Sequence, residues 1–236
     1  MASIGTNHNG NGVKLNGAAK NGHIVAFEEM GDQHVASSID TPLRTDAFRL
    51  SDEDKMEMIE EKFRDIMHIM GLDLNDDSLQ GTPRRVAKMF VQEIFKGLKP
   101  EEKPSLSLFD NKFQYQEMLV EKDIKVQSFC EHHFLPIVGK AHVAYISTGK
   151  VIGLSKINRI VQYYAKRPQV QERLTVQIGE DLKEALQTED VAVIIDADHM
   201  CVSMRGIEDN CSSTVTSFYS GRFEKDSVRQ EFFQYL

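Results

Sequence analysis

The run Cys130-Glu131-His132-His133, taken with His199-Met200-Cys201 far downstream, constrains this chain more than any other feature. Thiolate and imidazole are the ligands zinc prefers, and Cys130, His133 and Cys201 make a set of three. Three protein ligands leave a fourth position for water, whereas a structural site is normally closed by four. A fold that uses this set must bring two distant segments to one point, which pairing of strands in a sheet can do. The plain alternative is that Cys130 and Cys201 are small buried hydrophobes. His132 and His199 sit beside the candidate ligands, where general acid–base groups are useful. Adjacent histidines on an extended segment point to opposite sides, so His132 and His133 are expected to hold different roles. Cys211 lies in the polar stretch Glu208-Asp209-Asn210-Cys211-Ser212 and reads as a non-ligand. His142 reads as a satisfied strand histidine and His68 as a solvated helix residue.

The surrounding chain suits one ordinary core. It has 236 residues, 41% of them hydrophobic, enough for a single domain with a small appendage. The formal net charge of −8 disfavours nucleic acid or an anionic membrane as a partner, though not a local basic pocket. No apolar run approaches the roughly 20 residues of a membrane helix. The start, MASIGTNHNGNG, lacks the apolar stretch of a secretory signal. Three irregularly spaced cysteines do not read as a disulfide framework, which points to a reducing cytoplasm.

Residues 1–45 are rich in Gly, Asn, Ser and His and read as a disordered tail, with His8, His23 and His34 as non-ligands. Helices follow over 46–120. Ser51 with Asp54 resembles a capping box. Met56, Ile59, Phe63, Ile66, Met67 and Met70 then fall at helical spacing up to Gly71. Thr82-Pro83 opens a second helix carrying Val86, Met89, Phe90, Ile94 and Phe95. From 121 to 236 strands and helices mix. Ile124–Phe129 alternates like a strand, and Pro136–Ile146 with Val151–Leu154 reads as a hairpin through Ser147-Thr148-Gly149-Lys150. Ser155 is the expected N-cap of a helix to about Ala165, and Pro168 the expected start of another. Val191–Ala197, Cys201–Arg205 and Ser213–Phe223 read as strands, and Asp226 as the cap of a terminal helix. The order implies an α+β fold with a largely antiparallel sheet.

Between the two candidate metal segments lie Ser155, Lys156, Arg159 and the run Gln169-Val170-Gln171-Glu172-Arg173. Arg205 follows Cys201, and Arg84 and Arg85 open the second helix. Basic residues near helix N-termini suit a polyphosphate, although an ordinary charged surface explains any one of them equally well. Neither GxxxxGK[ST] nor GxGxxG is present, so a nucleotide would bind by another route. A carboxylate such as Glu172 can accept from the adjacent N1–H and 2-amino groups of guanine.

Five segments together resemble the GTP cyclohydrolase I family: Ser128–His133, Gly153–Lys156, Gln169–Thr175, His199–Gly206 and Thr214–Ser217. The resemblance runs in order from about residue 52 to the C-terminus. It implies a tunnelling fold (T-fold), an antiparallel sheet backed by helices with an N-terminal helical extension. It also implies a homodecamer with active sites at subunit interfaces. On the matching positions Cys130, His133 and Cys201 would hold Zn2+, His132 and His199 would move protons, and Glu172 with Gln171 would hold guanine. Ser155 would meet the ribose region, and Lys156, Arg159, Arg205 and Arg85 the triphosphate. The implied reaction is hydrolysis of a cyclic amidine C–N bond: GTP and water give 7,8-dihydroneopterin triphosphate and formate. Three other readings compete, one of them a family member with altered substrate or metal preference. A nitrile reductase on the same fold would need a cysteine nucleophile and a nicotinamide cofactor, and a zinc-stabilised scaffold would need a fourth protein ligand.

Overall fold

The computed structural model describes residues 38–236; His8, His23 and His34 lie outside them. Most of the expected tail, residues 1–37, lies outside the described residues, and two carbonyls at the start of the described range accept hydrogen bonds. The carbonyl of Ser38 accepts from Arg173 Nε at 3.0 Å and that of Ile39 from Gln177 Nε2 at 3.0 Å.

Helix α1 spans Asp52–Ile69. Ser51 Oγ accepts from the Asp54 amide, and the Asp54 carboxylate accepts from the Ser51 amide, as the capping box requires. Gly71, at φ +81°, turns the chain out of the helix. Helix α2 spans Thr82–Lys88 and continues as a wider π-turn over Met89–Ile94. Met56 of α1 packs with Ala87 and Val91, while Ile66 and Met70 face solvent. The N-cap of α2 is Gly81; Thr82 instead accepts from Arg85 at 2.8 Å.

Two long strands, β2 (Met118–Cys130) and β3 (Pro136–Ile146), pair antiparallel, with an irregularity between Glu121 and Ile124. After β1 (Leu108–Asp110) and β4 (Lys150–Ile152) come α3 (Leu154–Ala165), β5 (Pro168–Gln169) and α4 (Gln171–Leu186). The chain then forms β6 (Val191–His199), the single turn α5 (Met200–Ser203), β7 (Thr214–Tyr219) and α6 (Asp226–Gln234). The main sheet has five strands in the order β5-β2-β3-β6-β7, antiparallel except for β5 beside β2. This is the expected α+β T-fold: a curled antiparallel sheet backed by helices.

Period-2 alternation assigns the faces. Ala141, Val143 and Tyr145 of β3 and Val191, Val193, Ile195 and Ala197 of β6 meet Ile157, Ile160, Leu174, Ile178 and Leu182 of α3 and α4. Ala144, Ile146, Ala192 and Ile194 point the other way, onto Phe223 and Phe232.

Five expectations are corrected. Pro168 does not start a helix: Pro168 and Gln169 pair parallel with Phe129 and Cys130, and α4 begins at Gln171. Proline suits that short edge strand, where it need not donate. The expected hairpin of β3 with Val151–Leu154 does not form. Both edges of β3 are taken by β2 and β6, so β4 pairs with β1 instead. Cys201–Arg205 is not a strand, because the sheet ends at His199 opposite Ile137 and the chain turns into α5. The N-cap of α3 is Gly153 rather than Ser155, and that of α6 is Lys225 rather than Asp226.

Gly179 lets α4 approach β7 closely, since a Cβ there would collide with the ring of Phe218. Gly179→Ala is expected to cost about 1–3 kcal/mol of stability through this overpacking. Denaturant titration of the two proteins checks it; an unchanged midpoint would contradict the tight approach.

Candidate active site

Strand β3 lies between β2 and β6, and its first residues set the site. Phe129 pairs with Pro136 and Ile137 with His199. The end of β2 and the end of β6 therefore stand on either side of the same short stretch. The β2–β3 turn is tight: the Cys130 amide donates to the Leu135 carbonyl and the Phe134 amide to the Cys130 carbonyl, each at 2.8 Å. Phe134 takes φ +52° to complete it. Because Glu131-His132-His133 lies in this turn, strand alternation does not govern the two histidines.

The ligand atoms of Cys130, His133 and Cys201 lie within 4.8 Å of one another. Donors on a zinc tetrahedron stand about 3.5–3.8 Å apart, given bonds of about 2.0–2.3 Å. A small closure therefore suffices, and the donor set suits zinc. Cys130 is buried, Cys201 half-buried and His133 exposed. Burial, and then the neighbouring Cys130 sulfur, push the Cys201 thiol up to about 11. A divalent cation is the group that turns such a pair into thiolates. Arg205 Nη1 stands 3.0 Å from His133 Nε2. Arginine cannot accept, so that nitrogen carries a lone pair, the form a metal needs. Cys211 is exposed and outside the cluster.

His132 and His199 flank this cluster. His132 Nδ1 is 3.6 Å from Cys130 Sγ. His199 Nε2 is 2.7 Å from Gln171 Oε1. The Gln171 amide nitrogen reaches three acceptors: the carbonyls of Ile195 (3.1 Å) and Thr214 (2.8 Å) and Thr216 Oγ1 (3.2 Å). That network fixes which end of the amide is oxygen, so His199 donates through Nε2–H, and in the neutral ring Nδ1 keeps the lone pair. Burial lowers the His199 pKa, opposed by the charges of Glu172 and Asp198. Glu172 is exposed in the first turn of α4, close enough to His199 to act on its charge.

The remaining candidates stand elsewhere in the chain. Helix α3 runs alongside β2, with Asn158 bonded to Glu121 and Gln162 to the Lys125 carbonyl. Its first turn, with Ser155 and Lys156, and then Arg159, is therefore at the end of β2 away from Cys130. Strands rise about 3.3 Å and helices about 1.5 Å per residue, so that separation along β2 is about 20–30 Å, shortest for Arg159. Arg85 bonds to the Ser78 carbonyl and Thr82. Among the described residues, Ser155, Lys156, Arg159 and Arg85 make no hydrogen bond or ion pair to the Cys–His cluster.

The sequence model of GTP cyclohydrolase I matches residues 59–236. The chain belongs to the GTP cyclohydrolase I family. It is 59% identical over 210 residues to GTP cyclohydrolase 1 of Flavobacterium johnsoniae, covering 89% of this chain and 94% of that protein. It is 47% identical over 221 residues to the Vibrio parahaemolyticus protein of the same name, covering 92% and 98%. With that of Salmonella arizonae it shares 50% over 202 residues, covering 85% and 91%. The chain is thus an enzyme of this family, and the nitrile reductase and scaffold readings fall away.

Sequence reasoning missed a buried ion pair beside the site, Arg173 with Glu131. A charged residue between two candidate ligands was the available signal. It also left His142 without a named partner; the Asp123 amide donates to its Nδ1 at 3.3 Å.

His199 is expected to be the Nε2–H tautomer, which nitrogen-15 NMR of the ring reports directly; an Nδ1–H signal would contradict the network. Gln171→Leu should remove that preference and cost about 1–3 kcal/mol, since the Ile195 and Thr214 carbonyls lose a buried donor.

Proposed function

We propose that this enzyme is a zinc-dependent hydrolase that converts GTP and water to 7,8-dihydroneopterin triphosphate and formate, the first step toward tetrahydrofolate and related pterins. The observation that carries the reading is the convergence of Cys130, His133 and Cys201 within 4.8 Å, beside the oriented imidazole of His199, in a chain of this family.

Cys130, His133 and Cys201 would hold the metal. When bound, zinc supplies Lewis acidity and makes water acidic enough to act near neutral pH. Glu172 accepts from N1–H and the 2-amino group of guanine, and Gln171 holds His199 so that its Nδ1 lone pair faces the reacting base. Water adds at C8 while His132 and His199 exchange protons with N7 and the added oxygen, and the C8–N9 bond opens. A second water releases C8 as formate. The ribose then rearranges and closes on the diaminopyrimidine with loss of one water, so the net consumption is one water. The triphosphate is not cleaved; Lys156, Arg159 and Arg205, with Arg85, serve in binding and orientation. With a metal on His133, Arg205 would give up its contact with that residue and be free to meet the phosphates.

Ser155, Lys156 and Arg159 stand about 20–30 Å from Cys130 along β2, too far to serve the same chain's metal group. A homo-oligomer with interfacial sites, a decamer by the family resemblance, resolves this by drawing them from a neighbouring copy. Exposed apolar side chains support such an assembly, among them Ile69, Met70, Met204, Ile207 and Val215. A cytoplasmic setting fits the three free cysteines. No described helix is long and apolar enough to cross a membrane.

Two experiments test the proposal. Purified enzyme with GTP should release formate and yield a product fluorescent after oxidation, both lost with chelator and restored by zinc. Cys201→Ser should lose metal and both signals together; full turnover by that variant without metal would overturn the assignment. Second, Cys201→Ser and Lys156→Ala chains, each inactive alone, should regain activity when mixed and reassembled. With sites shared between copies, a half times a half leaves about a quarter of them intact. No recovery would mean that each chain builds its own site.

A further inference from the structure

Arg173, in the first turn of α4, is 6% exposed. Its fork grips Glu131, with Nη1 to Oε2 at 2.5 Å and Nη2 to Oε1 at 3.4 Å. Its third edge is fixed as well, since Nε donates to the Ser38 carbonyl at 3.0 Å. Glu131 follows Cys130 directly and precedes His132-His133, so the clamp holds the middle of the ligand run.

The main chain of Glu131 is held by a second route. Its amide donates to the Gln169 carbonyl at 3.0 Å. The fully buried Gln169 side chain donates to Gln177 Oε1 at 2.8 Å, and Gln177 Nε2 donates to the Ile39 carbonyl at 3.0 Å. Arg173 and Gln177 are four residues apart and share one face of α4. Side chain and backbone of Glu131 therefore both lead to that face and to the two adjoining carbonyls of Ser38 and Ile39.

A buried ion pair adds little net stability over apolar residues of equal volume. What it adds here is geometry. A planar fork that meets both carboxylate oxygens fixes direction as well as distance, which a lysine ammonium does not. We propose that Arg173 is a positioning residue for the metal centre: through Glu131 it sets where Cys130 and His133 present sulfur and nitrogen. This rests on the reading of Cys130, His133 and Cys201 as metal ligands.

The test uses the full chain as wild type, Arg173→Lys, Glu131→Gln and the double variant, each loaded with cobalt(II) without oxygen. Thiolate charge-transfer and d–d bands report ligand geometry, chelator-driven bleaching reports metal release, and thermal unfolding is recorded in parallel. Arg173→Lys keeps the positive charge opposite Glu131 and carries the test if Glu131→Gln does not fold. The expected result is a folded Arg173→Lys protein that takes up cobalt with a shifted d–d band and releases it about 10–100-fold faster. The double variant should be no worse than the worse single, since the two residues act as one unit. A wild-type band and release rate in Arg173→Lys, whatever its thermal stability, would overturn the proposal. Wild-type enzyme that binds cobalt with no thiolate band, or Cys201→Ser that binds it equally well, would instead remove the ligand reading and this inference with it.

Discussion

Strand β3 is bonded to β2 on one side and to β6 on the other, and those two registers decide where the chemical groups stand. With Phe129 opposite Pro136 and Ile137 opposite His199, the two segments that carry cysteine and histidine end at the same edge of the sheet. A slip of one residue would turn every side chain of a strand to the other face. Cys130 would then leave the helix-covered side, where it packs with Ile137 and Ala197. The apolar alternation that buries Ala141, Val143, Val193 and Ile195 is thus also what brings the candidate metal ligands together. The core and the site share one register.

Helix α4 is the second element that this register recruits. Leu174, Ile178 and Leu182 fill the same face of the sheet, and Gly179 brings the helix close to β7. Its N-terminal turn then lies over the ends of β6 and β7. Polar groups buried there have to be satisfied. Gln171 meets Ile195, Thr214 and Thr216, and Thr175 meets Thr216 and the Gln171 carbonyl. A network with so many fixed partners has little freedom to rearrange. That rigidity is what orients His199, whose own backbone belongs to the sheet.

The parts of this arrangement that follow local rules were legible in the sequence. The Ser51–Asp54 box, the break at Gly71 and the alternating strands around 136–146 and 191–197 each depend on nearby residues alone. Cys130, His133 and Cys201 were legible through ligand chemistry, and the structure brings their donor atoms together. What failed depended on which strand edges were already occupied. Pro168 looks like a helix start, and only the open edge of β2 makes it a strand. The turn at Ser147–Lys150 looks like a hairpin, and only the occupancy of both β3 edges sends β4 to β1. Cys201 carries no sign that the ladder stops two residues before it. The Glu131–Arg173 pair was hidden for a related reason, since nothing local links a turn after β2 to the first turn of α4.

The proposed sharing of a site between copies rests on a division of labour along β2. The cluster that can hold a metal is at one end of the strand, and the helix N-terminus bearing Ser155 and Lys156 is at the other, with Asn158 still at the level of Glu121. Both ends are fixed by the same packing of α3 and α4 on the sheet, so no local motion closes the gap without dismantling the core. On the proposed reading, a nucleotide that needs both a reactive centre and fixed cations for three phosphates would draw the second set from another molecule. The residues after Cys201 suit such a junction. Val202, Met204 and Ile207 are exposed apolar side chains within a few residues of Cys201 and Arg205, where an unpartnered surface would gain by being covered. Burying them against a neighbouring copy would exclude water from the site in the same step that delivers the missing cations.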